Sequence, residues 1–598
     1  MTTTLQVNES EQRSSLVSIS LASGLLLLIL AIGALLRFGW LGVLPLSADE
    51  ARQALAIWQH WQPPDSQSVA TATSPAYFSF TAVIFALLGG GDATARLAPA
   101  LVGLLAVALP WLWRERLGTA GALAVSALLA VSPTMNMVSV TAGGEAMAVA
   151  AVLLLFIAWM RFRDGGGERW LAVGVAALGF GLATAPLFYS SLLTLALAWT
   201  VQRTLGLADG ESRSGDGTGV APAGARTLLV LAAVVFVLTA TLFLWRPAGL
   251  GDASTQLAQW LGQFEVLGGI RALVLPLLAL GRYELVVAIL GAGAIVWASW
   301  RGFPVPVLLV YWFAAALVLI LVQQGTLSNL PVLVLPSYLL LGLWVKHILD
   351  EPAGDVRWAL LLTLLLLGAI AYFNGARFLR ILAASPLQLS FLFLTFVAVA
   401  AGIAAVNFVR TWDRGAAYQG ALVALLLLFL TYSWGTSRWM VAQGGNDPRE
   451  YWSQMRSDVR SEMASHASTD DDLRMMVQTL QEVSWQTTSS ARDLELLSAV
   501  DTPAIRWYLR DFPNAIIGDT VPPGSSQHAI ITPASGQDPA LGDDYLGADM
   551  GLAYTGATTG FDAQATLSAT LRWWIFHEHP ATITGDRIIL WVRTDALQ

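Results

Sequence analysis

From Leu16 to Trp434 the chain is cut into apolar runs of roughly 16 to 22 residues, each near the length a helix needs to cross a hydrocarbon core of about 30 Å. Inside lipid the backbone finds no water, so runs of this kind are satisfied only as hydrogen-bonded helices. Composition agrees, with 55% hydrophobic and 12% charged residues and a mean hydropathy of +0.60. No such run follows Gly435. The expectation is a polytopic α-helical membrane domain over 1–434 followed by a soluble domain over 435–598. The first run lacks a basic leader before it and a small-residue cleavage site after it, and reads as a retained helix.

Thirteen spans are predicted: 16–36, 96–113, 118–134, 144–160, 170–184, 186–201, 227–245, 283–300, 303–323, 330–345, 357–373, 388–409 and 416–434. A further apolar stretch, 76–90, is expected to lie against the membrane without crossing. Only then do the loops carrying Arg114 and Arg116, Arg161 and Arg163, Arg203, Arg301, Lys346 and Arg357, and Arg410 and Arg414 fall on the cytoplasmic side. That parity puts the N-terminus inside, the loop 37–95 outside, the Gly-, Ser-, Asp- and Ala-rich connector 202–226 inside, and the C-terminal domain outside.

A net charge of −8 gives no basic footprint for nucleic acid, so that class of partner is excluded. The chain has no cysteine, which removes disulfides, thiol catalysis and thiolate-bound zinc. Lys346 is the only lysine, so a phosphate held by side-chain charge meets arginine. In the C-terminal domain, helix-like segments near 448–463 and 470–484 precede the β-rich runs LELLSAV, NAIIGD, HAIITP and RIILWVR, a pattern of an α/β domain. His577 and His579 alternate in HEH without an evident third ligand for zinc.

After the first span the chain reads RFGWLGVLPLSADEARQALAIWQHW. Ala51, Ala54, Leu55, Trp58 and Trp61 recur at helical spacing, predicting an interfacial amphipathic helix that opens on Asp49 and Glu50. Ser47 with Glu50 three residues on is a capping-box pattern, which explains Glu50 by itself and makes its replacement by Gln inexpensive; Asp49 is left less explained. Glu145 opens the fourth span, where an acid favours the helix dipole but sits at a costly membrane boundary. Outer-face arginines are Arg37, Arg52, Arg96, Arg246, Arg271, Arg282, Arg377 and Arg380, the last two sharing one helical face. Membrane-edge snorkelling explains several of them equally well. Trp507, Tyr508, Trp573 and Trp574 read as packing between the outer domain and the membrane part.

A first helix ending in Arg and followed by an Asp-Glu pair resembles the GT-C membrane glycosyltransferases, including protein O-mannosyltransferases and lipid A aminoarabinose transferases. The resemblance continues through SPAYFSFTAVIFALLGGGDATARLAPALVGLLAVALPWLWRERLG and LLAVSPTMNMVSVTAGGEAM. TPAIRWYLRDFPNA and ATLRWWIFHEHP are similar to the exported domain of the flippase-associated, archaeal-type glycosylation family. The resemblance implies a GT-C fold and inverting transfer of a sugar from a polyprenyl-phosphate carrier to an acceptor hydroxyl outside the membrane. It puts catalytic acids at Asp49 and Glu145, with Glu50 beside the first as a further candidate, and leaves a divalent cation open as cofactor; the leaving lipid phosphate needs positive charge, for which Arg52, Arg96, Arg377 and Arg380 are the candidates, Arg96 alone matching the family pattern. Where relatives show Arg with Asp, this chain has two glycines and Glu145. That departure supports the alternative reading, a catalytically inactive GT-C scaffold or accessory subunit with partners in an envelope complex.

Overall fold

The computed structural model describes residues 20–62, 74–205, 222–264, 277–323, 329–381, 388–442, 468–534, 539–555, 567–577 and 584–597. The predicted helix at 448–463, the middle of the connector 202–226, Arg271 and His579 lie outside them.

Every predicted span falls on a helix. The first six are α1 (Leu21–Phe38), α4 (Asp92–Ala108), α5 (Arg114–Val131), α7 (Glu145–Arg163), α8 (Glu168–Gly181) and α9 (Pro186–Thr204). They are interleaved with α2 (Ala48–His60), α3 (Pro75–Leu88) and α6 (Pro133–Ser139). Then come α10 (Pro222–Ala240), α11 (Gly249–Gly262), a pair α12 (Leu277–Tyr283) and α13 (Val287–Arg301) bent by 117°, α14 (Pro304–Val322), α15 (Leu330–Leu349), α16 (Val356–Ile381), α17 (Gln388–Arg410) and α18 (Arg414–Ala442).

Among the described residues eight stretches are long and apolar enough to cross a membrane, nine if the bent pair is one span. One of the eight, Asp92–Val131, is 40 residues long and contains two passes. Arg37 reaches the Leu129 and Ala130 carbonyls at the end of α5, and a Cβ on Gly103 in the middle of α4 would meet the same guanidinium, so α4 and α5 lie antiparallel. The turn between them passes through Gly118 at φ 69°, ψ 164°, a conformation essentially reserved for glycine. Helices α8, α9 and α10 stand where spans are predicted but are not among the eight, so length and apolarity alone do not reach thirteen. Helix α3 has 14 residues, about 21 Å at 1.5 Å per residue, short of the hydrocarbon thickness.

Charged loops gather at one end of the bundle, where Arg116 pairs with Asp164, Arg161 with Glu115, and the Lys346 ammonium donates to the Arg116 carbonyl. The C-terminal domain sits at the other end, against α2 and the start of α4. Single cysteines introduced into this cysteine-free chain test the sidedness: Asp519→Cys should react with an impermeant thiol reagent on intact cells and Asp355→Cys should not. The opposite labelling would invert the molecule.

The C-terminal domain is the α/β unit anticipated from sequence, with α19 (Asp472–Thr488), α20 (Pro503–Tyr508), α21 (Leu567–Phe576) and a six-stranded mixed sheet. The strands are β1 (Ser468–Thr469), β2 (Leu496–Ser498), β3 (Ala515–Ile517), β4 (Ala529–Pro533), β5 (Tyr545–Thr555) and β6 (Thr584–Arg593), in the order β1-β5-β6-β4-β2-β3. β2 runs parallel to β3 and β4, and the other pairings are antiparallel. One apolar core runs from Leu55, Tyr77 and Phe78 of the membrane part into Leu473, Ile505 and Trp507 of this domain, so the two share an interior.

A second junction is made by α21. Trp573 is buried edge-on to Tyr283 and beneath the Arg282 guanidinium, and the Trp574 indole N–H donates to the Gly281 carbonyl at 3.1 Å. His577, packed on Trp439, is pushed down to about 4 by burial and then by the Arg282 charge. The unfolded chain takes up that proton near an ordinary pKa of about 6.5 while the folded chain refuses it until about 4. Stability is therefore lost as pH falls through that window, by up to about 3 kcal/mol. Melting curves between about pH 7 and pH 4.5 should show this loss in the parent and much less of it in His577→Gln. Equal slopes in the two proteins would assign the acid sensitivity elsewhere.

Candidate active site

Helix α2 begins as the sequence pattern requires: the Ser47 hydroxyl accepts from the Glu50 N–H at 3.4 Å and the Glu50 carboxylate accepts from the Ser47 N–H at 2.9 Å. The same carboxylate does more. Its Oε1 accepts from Arg96 Nε at 2.8 Å and from the Ala142 N–H at 2.8 Å, and its Oε2 accepts from Arg96 Nη2 at 2.7 Å. Arg96 then donates to the carbonyls of Leu41 at 2.9 Å, Leu44 at 2.6 Å and Pro45 at 2.9 Å. Glu50 is 3% exposed and Arg96 0%. A buried ion pair persists only when its lone pairs and protons are met, and this one is met throughout. Two expectations are corrected here. Every N–H of Arg96 is engaged, leaving no donor for a lipid phosphate, and Glu50 is a structural carboxylate that ties the loop after α1 to α4 and to the loop before α7.

Asp49, one residue earlier, points elsewhere. Its side chain is 33% exposed and its Oδ1 accepts from Arg52 Nη1 at 2.7 Å, one turn along α2. Gln53, on the next turn, donates to the Ala142 carbonyl at 3.4 Å, which draws this face of α2 against the loop before Glu145. The Glu145 carboxylate feels the charges of both Asp49 and Glu50. The glycines of TAGGEAM have a steric reason. A Cβ on Gly143 would collide with the Glu145 carboxylate folded back over it, and one on Gly144 would collide with the Thr184 carbonyl and the Ser74 hydroxyl. Those two groups are hydrogen-bonded to each other at 2.5 Å. The arrangement leaves the Asp49 and Glu145 carboxylates within electrostatic reach of each other, Asp49 accompanied by Arg52.

Residues 72–206 match the model of the family described as dolichyl-phosphate-mannose-protein mannosyltransferase, a segment that includes Arg96 and Glu145 but not Asp49. The solved structure of ArnT from Cupriavidus metallidurans bound to undecaprenyl phosphate superposes with a TM-score of 0.50 at 14% identity, over 82% of this chain and 85% of that one. The fold is GT-C. The apo state of the same ArnT gives a TM-score of 0.49 at 15% identity over the same shares. No curated protein matches significantly.

Within this GT-C fold the remaining arginines separate by position. Arg377 and Arg380 do share the end of α16, but they lie over Phe391 and Phe576, and among the described residues the principal neighbours of α16 are α17, α18 and α21. Neither α16 nor α17 is among the principal neighbours of α2, which among the described residues are α3 and α20. Arg37 is buried and donates to the carbonyls of Gly33, Leu129 and Ala130 and to the Ser139 hydroxyl. Arg246 pairs with Asp252 and covers the Phe78 ring. Of the four arginines expected at a phosphate, only Arg52 stands beside the acids. Among the described residues no group of three or more His, Asp or Glu side chains is arranged to hold a metal ion.

Two acids escaped notice in the sequence. Glu284 sits at the break between α12 and α13, fully buried, accepting from the Ser132 hydroxyl at 2.6 Å, the Thr134 N–H at 3.0 Å and the Tyr338 hydroxyl at 2.5 Å. It pins the bent helix to α6 and α15, and the signal was there: an acid inside a predicted span demands a partner. The other is Asp92, at the start of α4, whose partners all come from the C-terminal domain.

Proposed function

We infer that this chain is a membrane glycosyltransferase that takes a sugar from a polyprenyl-phosphate-linked donor and gives it to an acceptor hydroxyl on the outer face. The observation that carries the reading is Asp49. It stands about one-third exposed on a helix whose start is fixed by the buried Glu50–Arg96 pair, and its charge reaches a second carboxylate, Glu145. The GT-C fold supplies the substrate class, and the ArnT structure that shares it carries undecaprenyl phosphate.

The chemistry follows from the charges. Asp49 takes the proton of the acceptor hydroxyl as its oxygen bonds to the anomeric carbon; the bond from that carbon to the phosphate oxygen breaks, and polyprenyl phosphate leaves with the electron pair. Arg52, hydrogen-bonded to Asp49, is the arginine that meets the growing phosphate charge. Glu145 stabilises the oxocarbenium-like sugar between them. Attack from the side opposite the phosphate inverts the anomeric centre.

The commitment of Arg37 and Arg96 to backbone carbonyls favours a second reading, a GT-C scaffold without turnover. Native mass spectrometry of the purified protein with added polyprenyl phosphate separates the two. The enzyme reading predicts a one-to-one complex that weakens in Arg52→Gln. A parent that binds no polyprenyl phosphate would hand the chain to the scaffold reading.

A further inference from the structure

The C-terminal domain also reaches the loop before Asp49, through residues held on Asp92. Asp92, 14% exposed at its side chain, accepts from Arg474 Nη2 at 2.5 Å, from the Trp507 indole N–H at 2.9 Å and from the Tyr508 hydroxyl at 2.9 Å. Arg474 also donates to the Val43 carbonyl at 2.7 Å, and the Tyr508 oxygen accepts from the Leu46 N–H at 3.1 Å. Arg510 lies over the Trp507 ring and donates to the Gly90 carbonyl at 3.0 Å. Helix α20, which bears Trp507 and Tyr508, packs directly along α2. One turn of α4 thus holds the same loop twice, directly through Arg96 and through Asp92 with its C-terminal partners. Burial, with the Asp92 charge, keeps the Tyr508 phenol protonated far above neutral pH, so its hydroxyl donates to Asp92 while accepting from Leu46.

We propose that the C-terminal domain is the positioning element of the catalytic loop: Tyr508 and Arg474, hung on Asp92, set the path of residues 43–46 and through it the placement of Asp49. Asp49 follows Leu46 by three residues, in the first turn of the helix that Ser47 caps, so a shift of residues 43–46 is passed on to the base. A displacement of about 1 Å costs on the order of 10²-fold in rate. Tyr508 and Arg474 touch no reacting atom and act through Asp49, and the proposal rests on the reading of Asp49 as the base.

The test is Tyr508→Phe, which removes one oxygen and keeps the ring, compared with Arg474→Lys, which keeps the charge at Asp92 but loses the fork that also reaches Val43. Turnover should fall about 10- to 100-fold with the KM for the lipid donor unchanged. In an Asp49→Asn background the same substitutions should cost almost nothing further, because a positioning residue has nothing left to position. Unchanged turnover, or a loss that adds in full to that of Asp49→Asn, would overturn the proposal. Hydrogen exchange supplies an arm independent of activity. Amides of 43–50 should exchange faster in Tyr508→Phe while those of β4 and β6 stay protected, and unchanged exchange at 43–50 would equally overturn it. If the parent transfers no sugar, the functional reading falls and the exchange result alone decides the clamp.

Discussion

Asp49→Asn is expected to lower sugar transfer by on the order of 10² to 10⁴ while leaving the protein folded. The amide keeps the size of the carboxylate and an oxygen for Arg52, but it cannot take the acceptor's proton. The side chain is about one-third exposed, so its replacement removes no buried charge. Glu145→Gln should fall between this variant and the parent, since a carboxylate that assists by charge is less indispensable than the base. Chromatography in detergent checks folding, and transfer to acceptor checks chemistry. An Asp49→Asn protein that is folded and as active as the parent would remove Asp49 from the mechanism.

Glu50→Gln is expected to fail in the opposite way, in stability before chemistry. Capping alone would make this substitution mild, because Gln can return much of the reciprocal bond. In the structure Glu50 also neutralises Arg96, which is buried and holds three loop carbonyls. Removing one member of a buried pair leaves the other charge uncompensated, at a cost of about 3 to 5 kcal/mol. Unfolding transitions in detergent should shift by that amount, whereas Asp49→Asn should barely move them. A Glu50→Gln protein as stable as the parent would mean that Arg96 finds its countercharge elsewhere.

The contrast between these neighbours shows where the sequence was informative. Local relations were readable: the Ser47 cap, the amphipathic run from Ala51 to Trp61, the apolar segments that became helices, and the LELLSAV and RIILWVR strands. Each depends on spacing within a few residues. Strand β5, YLGADMGLAYT, was missed because its glycines and Asp549 break the alternation that marks a strand; its pairing with β6 overrides them.

The distant pairings were silent. Glu50 meets Arg96 across 46 positions, Asp92 meets Arg474 across 382, and no periodicity reports either. Arginines at the outer face look alike in sequence, yet Arg96 is fully engaged with carbonyls, Arg380 lies over Phe576, and Arg52 alone of the expected phosphate ligands accompanies Asp49. The difference lies in tertiary packing. The glycines before Glu145 looked like a loss of function in the linear motif, yet Gly144 is a steric necessity of the packing against Ser74 and the Thr184 backbone, and Gly143 makes room for the Glu145 carboxylate.

The central claim is that this GT-C fold catalyses transfer, and it is tested most directly in vesicles containing the purified protein, a radiolabelled sugar on polyprenyl phosphate and a hydroxyl acceptor. The account predicts label on the acceptor, free polyprenyl phosphate in equal amount, and inverted configuration at the anomeric carbon. Intact donor after prolonged incubation with folded parent protein, across a panel of sugars and acceptors, would contradict it.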